Sequence, residues 1–135
     1  MSKVERLEHA NALIQAISRH GRRFFYNRET GTVARLDLDS RGRVWWIDDY
    51  RGARVYVAHS GRWRGFSHGG TLRSLIQALH QYIQRSELLH PEHIAPTMSY
   101  GDMWGYGTEA AAAVRAEAHQ LPMFKQRAAA QKGGA

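Results

Sequence analysis

The chain has 135 residues, with 19 Lys and Arg against 12 Asp and Glu, and no cysteine. That length suits one compact domain able to bury a core without staples, and the cysteine count excludes disulfides and thiolate metal sites. No run of about 18 apolar residues occurs, so no membrane span is expected. The N-terminus lacks the basic and apolar regions of a secretory signal, so a cytoplasmic setting is expected.

The net charge of +7 is unevenly placed. Residues 21–66 hold ten basic and five acidic side chains, net +5, and every one of the ten is Arg. Residues 67–107 are net −1. Arg offers a planar fork for anions and stacks on rings. A GC-rich genome also enriches Arg; in either case the charge favours acidic partners.

Ser2 and Glu5 have capping-box spacing. Val4, Leu7, Ala10, Leu13, Ile14 and Ile17 then recur at helical intervals, so helix 1 is expected over 3–19, with Gly21 as its C′ residue. Phe24–Tyr26 reads as a short aromatic strand, and Asn27–Gly31 as a hairpin loop. Residues 32–39 alternate, with Ala34, Leu36 and Leu38 on one face and Val33, Arg35 and Asp37 on the other. Ser40–Gly42 is a second turn, Val44–Asp49 a third strand, Tyr50–Ala53 a third turn and Arg54–His59 a fourth strand. Three short turns in succession predict a four-stranded antiparallel meander.

Trp45 and Trp46 are neighbours on a strand, so they point to opposite faces. If helices cover one face, one Trp lies on the other, with Arg35, Arg54 and Tyr56 as its expected companions. If both faces are covered, the second Trp packs beneath the C-terminal segment.

Ser60–Phe66 forms a corner in which Arg62, Trp63 and Arg64 make a recognition loop or a solvated turn with Trp63 folded back on the core. Thr71 is the expected N-cap of helix 2, whose apolar face is Leu72, Leu75, Ile76, Leu79, Tyr82 and Ile83, through about residue 86. Gly69, Gly70 and Thr71 leave backbone N–H groups at a helix start and form a candidate anion site, without the Lys or spacing of a P-loop. Residues 88–107 are irregular, and the aromatic stretch Tyr100–Gly107 is expected to pack on the domain. Thr108 caps an Ala-rich, peripheral helix 3 over 109–120. The domain is expected over 1–121, with 122–135 a disordered basic tail.

Catalytic patterns are absent. His90 and His93 flank Pro91–Glu92 without the convergent spacing a zinc site needs, so no metal and no cofactor are expected. Asp48 and Asp49 diverge as strand neighbours, which is poor geometry for an acid–base pair. A hydrolytic cluster of Asp48, His59 and His68 is the weakest reading. The chain is expected not to be an enzyme.

The order of helix, strands and helix is similar in outline to double-stranded-RNA-binding domains, and its strand-strand-strand-helix part to AP2 and integrase-arm DNA-binding domains. The departure is at residues 69–73, Gly-Gly-Thr-Leu-Arg, where the RNA-binding domains carry a basic cluster. The runs HGRRFF, GRVWWIDDY, WRGFSHGGTLRSLI and GDMWGYG, within residues 20–107, resemble small uncharacterised accessory proteins of bacterial phages, plasmids and genomic islands. That resemblance carries no catalytic residues; it implies a setting in which accessory proteins bind nucleic acid or inhibit host defence.

The fold expected is α+β: a helix, a four-stranded antiparallel meander, a packed second helix, an irregular aromatic loop and a peripheral third helix. The function expected is non-enzymatic nucleic-acid binding. Arg22, Arg23, Arg35, Arg43, Arg51, Arg54, Arg62 and Arg64 would meet phosphates, while Trp45 or Trp46, Tyr56 and Trp63 would stack on bases. The alternative is a protein-binding inhibitor or adaptor, such as an anti-defence protein, using the same aromatic patch on a host protein. Acids beside the outward Trp would favour this second reading. No membrane partner is expected, and an exposed aromatic surface also suits a homodimer interface.

Overall fold

The computed structural model describes residues 1–20, 26–27, 29, 31–47, 54–57, 70–90 and 108–124. The architecture is α+β. Helix α1 (Lys3–Arg19) is followed by strands β1 (Tyr26–Asn27), β2 (Thr32–Val33), β3 (Arg35–Leu38), β4 (Val44–Ile47) and β5 (Arg54–Tyr56), then helices α2 (Gly70–Arg85) and α3 (Thr108–His119).

α1 starts where the capping box places it. The Glu5 N–H donates to Ser2 Oγ at 3.1 Å, and the Ser2 N–H donates to Glu5 Oε1 at 3.0 Å, so two of the helix's orphan donors are satisfied. Ala10, Leu13, Ile14, Ala16 and Ile17 are buried. Val4, expected in the same stripe, is exposed. Helical periodicity sets the phase of an apolar face but not which of its residues a neighbour covers. Val4 is left uncovered although Lys3 and Arg6 beside it reach Gly42 and Ile83.

The described strands pair antiparallel, in a two-stranded and a three-stranded sheet that part at Ala34, between β2 and β3. β1 pairs with β2 (Tyr26↔Val33), and β3, β4 and β5 form a three-stranded sheet in chain order. Gly31 closes the first hairpin at φ +71°, a conformation that favours glycine. In the sheet, Leu36, Trp46 and Val55 share one row, and Asp37, Trp45 and Tyr56 the next. The first of these rows faces the helices. Leu36, Trp46 and Val55 join Ala34, Val44, Val57, the α1 stripe and Leu75, Ile76, Leu79, Tyr82 and Ile83 of α2 in one core.

α1 is the element the others share: it contacts β3, α2 and α3. Its Asn11 side chain pairs with the backbone of β3, the amide donating to Leu36 O at 2.9 Å and accepting from the Leu36 N–H at 2.7 Å. Arg6 Nε donates to Ile83 O at 2.9 Å, satisfying a carbonyl in the last turn of α2. His9 Nδ1 lies 2.9 Å from the buried Tyr82 hydroxyl, whose pKa burial pushes up.

α2 begins at Gly70, one residue ahead of the expected cap, so Thr71 lies in its first turn. The helix ends on Ser86 at φ +62°, whose N–H donates to Tyr82 O at 2.9 Å. This is a glycine-type helix end occupied by serine. A side chain there costs about 1–2 kcal/mol, and glycine returns part of that as unfolded-chain entropy. Ser86→Gly should therefore raise stability by about 0.5–1 kcal/mol, read as a higher urea midpoint at unchanged slope. A lower midpoint would contradict the conformation.

α3 turns Val114 and Ala118 into the core against α1. Past it, Met123 and Phe124 continue to pack. Met123 is fully buried, its carbonyl accepts from the Leu89 N–H at 2.8 Å, and Leu89 bridges Phe124 in parallel. Packing thus runs beyond the expected boundary at 121, because two apolar residues after Pro122 find partners in the segment following α2. Residues 125–135 lie outside the described residues, as do Gly21, Phe24, Phe25, Tyr100–Gly107 and the 58–59 end of the fourth strand.

The far end of α1 is tied to α3 by Glu117, which pairs with both Arg19 and His20. The hydrogen bond from His20, reinforced by the Arg19 charge, holds the Glu117 carboxyl below its ordinary value of 4.5. A depressed acid stabilises the fold above its ordinary pKa and loses that contribution as pH falls through the lowered one. The pair is partly exposed, so Glu117→Gln should cost less than about 1 kcal/mol at neutral pH. The gap between variant and wild type should narrow as pH falls below the ordinary 4.5 in thermal melts; a gap that widens in acid would refute the pairing.

Candidate binding surface on the outer face of the sheet

The turn between β3 and β4 sets this surface. The Gly42 N–H donates to Asp39 O and the Asp39 N–H to Arg43 O, both at 3.0 Å, with Gly42 at φ +76°. This is a three-residue hairpin loop with a left-handed residue before the strand. The Gly42 carbonyl accepts from Lys3 Nζ at 3.3 Å and Gln84 Nε2 at 3.0 Å, so α1 and α2 both hold the turn.

Asp39 organises the turn and the start of β4. Oδ1 accepts from the backbone N–H groups of Arg41 and Arg43, each at 2.9 Å. Oδ2 accepts from Arg43 Nε at 2.8 Å and from the Trp45 indole Nε1 at 2.9 Å. These donors, the Trp45 indole foremost, hold the carboxyl far below the usual carboxylate range. The same bonds fix both the Trp45 ring and the Arg43 guanidinium.

Trp45 is the outward tryptophan. Its ring lies 5.1 Å from that of Tyr56, tilted by 44°. The Arg54 guanidinium sits 4.4 Å from the Trp45 ring centroid. That of Arg43 is 5.8 Å from Trp45 and 5.7 Å from Tyr56. These are cation–π distances. Tyr56 is 44% exposed, and Trp45 is half-buried beneath its neighbours. Arg35 lies on the same face in the row Arg35–Ile47–Arg54. Asp37 stands opposite Trp45, its Oδ1 accepting from the Leu38 N–H at 2.9 Å.

Of the expected surface residues, the structure brings together Arg43, Trp45, Arg54 and Tyr56, with Arg35 one row away. Trp46 does not belong: it is 1% exposed in the core, because its parity points it at the helices. Arg22, Arg23, Arg51, Arg62, Trp63 and Arg64 lie outside the described residues, as do Asp48, His59 and His68 of the hydrolytic reading. Of the candidate anion site, Gly70 and Thr71 form the first turn of α2, and Gly69 lies outside the described residues. Asp39 is the residue that sequence reasoning missed. Its signal was local: Asp at the first position of a turn, with Arg41, Gly42 and Arg43 after it. Among the described residues, no three His, Asp or Glu side chains gather as metal ligands, and no helix is long and apolar enough to cross a membrane.

Comparison with known proteins gives one direction. Residues 1–130 match the family model described as YoqU. A curated relative is the SPbeta prophage-derived uncharacterized protein YoqU of Bacillus subtilis (strain 168), 25% identical over 121 residues, covering 88% of this chain and 82% of the relative. These matches name neither double-stranded-RNA-binding nor AP2 domains, and no solved structure matches. With a match spanning nearly its whole length, the chain belongs to the YoqU family.

Proposed function

We propose that this chain is a non-enzymatic accessory protein of a phage or related mobile element. In this reading it works in the cytoplasm and docks a host protein, such as a component of a defence system, on the outer face of its sheet. The prophage origin of the YoqU relative supports the setting. The observation that carries the docking reading is the mixed-sign aromatic cluster. Trp45 and Tyr56 are flanked by Arg43 and Arg54, with Asp39 bonded to Trp45 and Asp37 in the same row. Trp, Tyr and Arg are the residues that dominate protein hot spots, and a pre-ordered ring pair loses little entropy on binding.

Nucleic-acid binding is the second reading, favoured by the net +7 charge and the Arg-only basic excess of residues 21–66. Against it, one carboxylate stands beside the rings and another occupies the Trp45 N–H and the Arg43 Nε. Anisotropy titrations of labelled duplex DNA, single-stranded DNA and RNA over a salt series separate the two. The docking reading expects nothing tighter than the generic range for a basic protein, about 1–100 µM at physiological salt. Binding well below about 1 µM, linear in log salt and lost in an Arg43→Ala/Arg54→Ala variant, would install the second reading in its place.

A further inference from the structure

Three guanidiniums on the outer face differ in how their charge is answered. Arg43 has Asp39. Arg35 and Arg54 are both exposed, and among the described residues neither has an ion-pair partner. They flank Ile47 in one row across β3, β4 and β5. Two strand spacings place their backbones about 10 Å apart. Ile47 between them is 8% exposed, so the row has an apolar floor with a cation on each side. The Arg54 guanidinium carbon lies 4.4 Å from the Trp45 ring centroid. Among the described residues no acid pairs with its N–H donors, which suit an incoming carboxylate.

The neighbouring row has the opposite character: Asp37, then Trp45, then Tyr56. The face is thus cationic along one row, and aromatic with an acid along the next. A nucleic-acid backbone carries negative charge at every step and would set phosphates against Asp37. A polypeptide can place acids over one row and an apolar side chain over the other.

We propose that the occupant of this face is an acidic protein segment whose carboxylates pair with Arg35 and Arg54 while an apolar side chain covers Trp45 and Tyr56. The inference rests on the docking reading and names the chemistry of its partner. Charge complementarity with a chain of net +7 points the same way.

The test is a nitrogen–proton correlation titration of the labelled full chain. The probes are a dodecapeptide of Glu and Asp interspersed with Leu, the same peptide with every acid changed to its amide, and a short DNA duplex. The acidic peptide should shift the Trp45 indole and Arg54 Nε signals saturably. Its affinity should fall at least tenfold in Arg35→Gln/Arg54→Gln, with the rest of the spectrum unchanged. Equal binding of the amide peptide, or binding that survives the double variant, would overturn the carboxylate pairing and leave protein docking standing. If the duplex alone moves the Trp45 signal, both fall. If no probe moves it, the acidic-segment proposal is refuted.

Discussion

Trp46→Ala should cost about 3–5 kcal/mol, the range for removing a large buried ring, while Trp45→Ala, one residue away, should cost about 1 kcal/mol. Trp46 is among the largest fully buried side chains and sits in the core with Leu36, Val55 and the α1 and α2 stripes. Its loss leaves a cavity that a packed core closes only in part. A domain of this size has about 5–15 kcal/mol in hand, so the variant should melt roughly 10–20 °C lower or fail to fold. Trp45 gives up its contacts with Tyr56 and Arg54 and one hydrogen bond, all at the surface. Paired melts of Trp45→Ala and Trp46→Ala read the difference directly. Equal losses would mean that both faces of the sheet are covered.

The next largest effect belongs to Asn11. Its amide satisfies both polar groups of Leu36 that point away from β4, so the outer edge of β3 is sealed by a side chain of α1. Asn11→Ala strips both partners at once. An unpaired, part-buried backbone group costs about 1–3 kcal/mol, and water will recover some of it at an edge, so a loss of about 2–3 kcal/mol is expected. The Leu36 amide should also lose its protection from hydrogen exchange before its neighbours do. An opened edge strand is an aggregation template, so solubility should fall as well. A loss under about 0.5 kcal/mol with Leu36 still protected would remove Asn11 from this role.

How much the sequence displayed depended on how local the cause was. The capping box at Ser2 and Glu5, the face of α2 from Leu75 to Ile83 and the alternation through Ala34, Leu36 and Leu38 are each set by spacing alone, and each appears where it reads. Strand parity alone requires Trp45 and Trp46 to part; which one faces outward depends on where the helices pack. Val4 kept the phase of the α1 stripe and is exposed, because periodicity does not say which residues of a face a neighbour covers. Asn11 reads as a polar residue on a solvent face, and its purpose exists only once β3 lies beside α1. Met123 and Leu89 carry no periodic signal at all, being a single contact between two helix exits. Within the candidate site, Arg43, Arg54, Trp45 and Tyr56 were visible as a composition. Asp39, which ties Arg43 to the Trp45 indole, emerged only with the turn geometry.

Docking of a protein on the Trp45–Tyr56 face is tested most directly in cells. Tyr56 is replaced with a photo-crosslinking amino acid in the full chain expressed in bacteria, and the cells are irradiated. The expected result is discrete adducts that resist nuclease, are removed by protease and disappear when Trp45→Ala is added. Adducts that nuclease removes, or protein adducts that persist unchanged in the Trp45→Ala background, would contradict it.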